Sequence, residues 1–140
     1  MALTSDPFVV VDPSFMIDAT EFQCGTDSVT VEPVYAETSN GATFCKPNFT
    51  RRTIIGCTAT LDIKISYDAT GSWNLLHAMA GLTKTIVIKP SDAAAAAGNP
   101  SITFSAQIPQ VLPVSEMKIG EVQVLTLELM SDAAPVIAVA

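Results

Sequence analysis

Charge is scarce in this 140-residue chain. Asp, Glu, Lys and Arg make up 15% of it, against roughly 25% in an ordinary soluble domain. Basic residues are scarcer still: seven Lys and Arg stand against fourteen Asp and Glu, for a net charge of −7. Residues 1–45 hold no base at all, and seven carboxylates (Asp6, Asp12, Asp18, Glu21, Asp27, Glu32 and Glu37). Gripping a phosphate backbone takes Lys and Arg to displace counterions. The one basic cluster, Arg51-Arg52, makes this a poor binder of DNA or of an anionic membrane. No apolar run approaches the roughly 18 residues of a membrane span. No basic start leads into an apolar segment as in a signal peptide.

Other shortages narrow the chemistry. His77 is the only histidine, so any Ser-His or Cys-His mechanism would have to run through it. Nothing in its local sequence supplies an orienting partner. Three cysteines, Cys24, Cys45 and Cys57, cannot all pair within one chain, and their spacing is not that of a metal site. They read as reduced, mostly buried thiols. Phosphate loops, zinc-protease helices and nucleophile elbows are missing, and no spacing singles out two carboxylates as an acid/base pair. We therefore expect no catalytic residue, no cofactor and no metal. One Trp and two Tyr are too few for a carbohydrate-binding module built on exposed aromatics.

What the chain does have is alternation. Cys57, Ala59, Leu61, Ile63, Ile65 and Tyr67 share one parity; Thr58, Thr60, Asp62, Lys64 and Ser66 share the other. That is a strand with one apolar and one wet face. A helix of about three turns follows, with Ser72 as its cap, Trp73, Leu76 and Ala80 on one line, and Gly81 ending it. Residues 8–11, bracketed by Asp-Pro pairs, read as a short or edge strand. Residues 21–34 read as a hairpin turning at Gly25. Strands follow in "KTIVIKP", "SITFSAQIPQVLP" and "VQVLTLELM". In the last, alternation slips between Val124 and Leu125, as at a bulge or in a strand buried on both faces. The five alanines at 93–97 read as a connecting turn.

Between the strands, residues 35–52 lose all periodicity and carry the turn signals Asn40-Gly41 and Lys46-Pro47-Asn48. They predict a long loop, which in a compact domain is usually functional or disordered. The fold expected is mainly β: one domain spanning residues 1–140, an antiparallel two-sheet sandwich with one α-helix packed on a sheet. An apolar C-terminal arm, residues 133–140, predicts a tail that is mobile in the monomer and laid against a neighbour in an assembly. So apolar a chain hides more surface than a monomer can. It reads as a subunit.

The segment order "GSWNLLHAMAGL", "KTIVIKP", "GNPSITFSAQIPQVLP", "KIGEVQVLTLELMSDAAP" resembles the major tail tube proteins of long-tailed, non-contractile bacteriophages. It covers residues 71–136; the N-terminal half agrees only in its pattern of hairpin, long loop and long strand. The resemblance implies a virion protein that self-assembles into hexameric rings, stacked into a tube for genome ejection and joined to other tail proteins at its ends. It implies host cytoplasm during assembly and the tail thereafter. Double-stranded DNA would pass without specific binding, which suits an acidic wall. On this basis Thr58, Thr60, Asp62, Lys64 and Ser66 are expected to face the lumen. Asn40, Lys46, Arg51, Arg52, Val136, Ile137 and Val139 are expected at subunit or ring contacts. A capsid decoration (cement) protein, also a small β-sandwich, is the alternative.

Overall fold

The alternation around Leu61 becomes the centre of the fold. A computed structural model describes residues 10–39, 41, 43–45, 50–114 and 116–139. Its elements are β1 (Ser14–Ile17), β2 (Thr20–Glu21), β3 (Thr26–Ser39), β4 (Thr50–Lys64), α1 (Ser72–Ala78), β5 (Thr83–Lys89), β6 (Ser101–Gln107), β7 (Val124–Ser131) and β8 (Val136–Ala138). Two antiparallel sheets result, β2-β1-β5-β6-β8 and β3-β4-β7. Cys57, Ala59, Leu61 and Ile63 of β4, with Leu125, Leu127 and Leu129 of β7, meet Phe15, Ile17, Ile86, Phe104 and Ala106 of the larger sheet in one buried cluster. The mainly β, two-sheet, one-helix architecture is as expected. No helix among the described residues is long and apolar enough to cross a membrane.

Several local expectations are corrected. β4 ends at Lys64, so Tyr67 is exposed rather than inward-facing, and Ile65 is only partly buried. β7 starts at Val124 and alternates regularly, with Leu125, Leu127, Leu129 and Ser131 inward. The slip in parity arises because Val122 lies outside the strand, without a bulge in β7. Phe8 and Val9 lie outside the described residues; Val10 and Val11 are exposed and outside any strand. The first strand is instead Ser14–Ile17, paired with β5 through Phe15–Ile88 and Ile17–Ile86.

Helix α1 is shorter than expected. Its N-cap is Gly71, and Ser72 is not the cap. The Ser72 hydroxyl donates to the Lys64 carbonyl at 3.0 Å and accepts from the Ser66 amide at 3.0 Å, tying the helix to the end of β4. Leu76 is buried, with Trp73, Leu75 and Met79 packed beside the core. Gly81, at φ 79°, makes the left-handed exit, a conformation that costs glycine little.

The alanine run is the turn expected, and Asn99 holds it. Its carboxamide oxygen accepts from the Ser91 amide at 2.9 Å, and its nitrogen donates to the carbonyls of Ser91 (3.1 Å), Ala93 (2.8 Å) and Ala94 (3.3 Å). The residue is buried. Asn99→Ala strands these backbone groups and should cost about 1–3 kcal/mol in urea denaturation. A loss under about 0.5 kcal/mol would show that the turn stands without its clasp.

Candidate functional site

Beyond the Cys57–Ser131 pair β7 ends, but β3 and β4 continue. They pair as a two-stranded ribbon from Val34–Gly56 through Tyr35–Ile54 to Ser39–Thr50. The expected 35–52 loop is therefore corrected: residues 35–39 and 50–52 are strand, and only the segment between them connects. The register shifts between Val34 and Tyr35, a bulge that leaves Ile55 extra and re-aims the ribbon. At its base a Cβ on Gly56 would run into the Ser131 carbonyl oxygen, so only glycine lets the two backbones approach.

Both faces of this arm are bare. Val34, Tyr35, Ile54 and Ile55 are all exposed, Ile55 to 52%. Isolated two-stranded ribbons are marginal in water, and this one carries four apolar side chains left about half exposed. Arg52 donates to Glu37 at 3.0 Å and lies 5.0 Å over the Tyr35 ring, so it is occupied within its own arm. Of the two arginines expected at subunit or ring contacts, Arg51 alone has no carboxylate partner among the described residues. Asn40 and Lys46 lie outside the described residues.

The second surface is the outer face of the three-stranded sheet. Direct cross-strand partners point to one side, giving the rows Ser28–Asp62–Thr126, Thr30–Thr60–Glu128 and Glu32–Thr58–Met130. Asp62 accepts from Ser28 Oγ at 3.0 Å and from Thr126 Oγ1 at 2.8 Å, stitching three strands together. Thr60 and Lys64 are exposed, and Thr58 and Asp62 partly so. Ser66 departs from this set: it lies past the strand, and its carbonyl accepts from the Trp73 amide in the first helical turn. The rows place Glu32, Asp62 and Glu128 on a hydroxyl-rich surface.

The C-terminal segment differs most from expectation. Val136–Ala138 form β8, paired with Ser101–Thr103 of β6, so the predicted mobile tail is corrected to an edge strand of its own sheet. Backbone pairing, which side-chain composition does not disclose, supplies what three half-bare apolar residues cannot. Ile137 opposes Ile102 on the inner side, yet it stays 61% exposed. Val136 and Val139 are exposed too.

The groups that could carry chemistry are dispersed. His77 stacks on Trp73 at 6.4 Å with an interplanar angle of 6°, and Trp73 in turn meets Tyr67 at 5.6 Å. Among the described residues no cluster of three His, Cys, Asp or Glu could hold a metal ion. Cys24 and Cys45 are exposed, which corrects the expectation of mostly buried thiols, and Cys57 alone is buried. Burial pushes the Cys57 thiol up, against a smaller downward pull from its hydrogen bond with Ser131. Since only the thiolate attacks, a maleimide should label Cys24 and Cys45 in the native protein and Cys57 only after unfolding. Equal labelling of all three would contradict the core.

No protein-family model matches the chain, and no curated protein matches it in sequence.

Proposed function

We propose that this chain is the repeating subunit of a phage tail tube of the non-contractile type. Copies form rings of six, and rings stack into a hollow channel for genome delivery, closed at its ends by other tail proteins. The observation that carries this reading is the β3–β4 arm: a ribbon bare on both faces, apolar at its base, projecting past the sheet that should cover it. A monomer gains nothing from such an element, and an assembly that covers it does. Edge strand β8, with its exposed apolar side chains, offers a further contact of the same kind.

The hydroxyl and carboxylate rows around Asp62 supply the lumen wall, with Thr58, Thr60, Asp62 and Lys64 facing the passing DNA. Phosphates slide past a surface that offers them few cations. No catalysis, cofactor or membrane enters this function. The protein assembles in the host cytoplasm and acts in the virion tail.

Sedimentation velocity over a range of concentrations tests the proposal. Species at the size of a ring and its multiples are expected, growing with concentration. A protein that stays monomeric or trimeric while binding capsids would replace the tube with capsid decoration.

A further inference from the structure

A second apolar surface lies at the other end of the molecule. The described residues of 109–123 link β6 to β7 without regular structure, pinned by the buried Leu112. Their ends are fixed beside the helix: the Ile108 carbonyl accepts from Gly81, and the Gln123 carbonyl accepts from Ile65 at 2.9 Å. Between them Val111, Met117, Ile119 and Val122 are all well exposed, Ile119 fully. Exposed apolar side chains are ordinary singly, but several along one short segment mark a contact surface.

The two surfaces sit at opposite ends of β4. Ile54 and Lys64 are ten residues apart along the strand, roughly 30 Å, with the arm beyond one end and the 109–123 segment beyond the other. Neither can reach the other within one chain. Their charges match as well: Arg51 on the arm and Glu121 on the segment each lack an ion pair among the described residues, while Glu116 is taken by Lys118 at 3.7 Å.

We propose that the arm of one copy docks on the 109–123 segment of the next, Ile54 and Ile55 packing against Met117 and Ile119, with Arg51 beside Glu121. This deepens the tube reading by naming the arm's receptor, and it rests on self-assembly but not on the product being hollow. Contacts between different surfaces of identical chains are heterologous, and they propagate into rings or filaments instead of stopping at a dimer.

Two variants test it, Ile54→Asp/Ile55→Asp on the arm and Met117→Asp/Ile119→Asp on the receptor. Each alone should melt within a few degrees of the parent and fail to form the long assembly. Mixed in equal amounts, they retain one competent arm and one competent receptor. Sedimentation should then show the unit each forms alone paired once, and nothing longer. Long assembly by the receptor variant, or a mixture that never pairs, overturns the proposal. As a check independent of these substitutions, chains carrying Ile55→Cys and chains carrying Ile119→Cys, each with Cys24→Ser/Cys45→Ser, should cross-link when mixed under oxidation. Absence of that cross-link in an assembling mixture also overturns it. If pairing occurs but the parent forms solid filaments, the docking stands and the tube reading falls.

Discussion

Replacing residues 35–55 by Asn-Gly is expected to give a folded domain that forms tubes only at far higher concentration. The change joins the paired residues Val34 and Gly56 through a two-residue turn of the kind hairpins favour. No described residue it removes belongs to the buried core, so the melting temperature should move by only a few degrees. Assembly should suffer far more. Covering side chains such as Ile54 and Ile55 is worth roughly 1.5–3 kcal/mol each before the cost of ordering, and each 1.4 kcal/mol is tenfold in affinity. The shortened chain should therefore need at least about 100-fold more protein to assemble, as followed by light scattering. Unchanged tube yield would remove the arm from the assembly.

Leu61→Ala should produce a large loss of stability. Leu61 is fully buried in the middle of β4, between Val29 of β3 and Leu127 of β7, and faces the larger sheet across the core. Truncation there removes transfer energy and leaves a cavity lined from both sheets, about 2–5 kcal/mol in urea denaturation. Leu61→Met, which nearly conserves volume, should cost under about 1.5 kcal/mol. The measurement belongs in the arm-shortened protein, where association does not add to stability. A loss below about 1 kcal/mol would mean that the sheets do not close over this residue.

Legibility in the sequence followed burial. Residues 57–63 alternate because one face is sealed by the second sheet and the other is wet, so their period survives in composition. The arm is wet or waiting on both faces, and no alternation is imposed on it. Its apolar residues therefore read as noise beside the turn signals at Asn40-Gly41 and Lys46-Pro47. β1 was hidden by its brevity: four residues between Pro13 and the left-handed Asp18 leave no room for a period. β8 looked like a free tail because its tie to β6 is made by backbone groups, which carry no residue signature. The outer-face rows were half legible. Thr58, Thr60 and Asp62 declared themselves through β4, but their partners on β3 and β7 came only with the register. The apolar 109–123 segment had its signal in plain sight, since Val111, Val114, Met117, Ile119 and Val122 fit neither a helical nor a strand period. Its ends fall within the strands expected in "SITFSAQIPQVLP" and "VQVLTLELM".

Tube formation by the unmodified chain is the claim on which the rest depends, and electron microscopy of the concentrated, purified protein in vitreous ice tests it most directly. Tubes of uniform width with a central channel are expected, lined in a helical reconstruction by the Thr60–Glu128 and Asp62–Thr126 rows. Dispersed monomers, or closed dimers at any concentration reached, would contradict that claim.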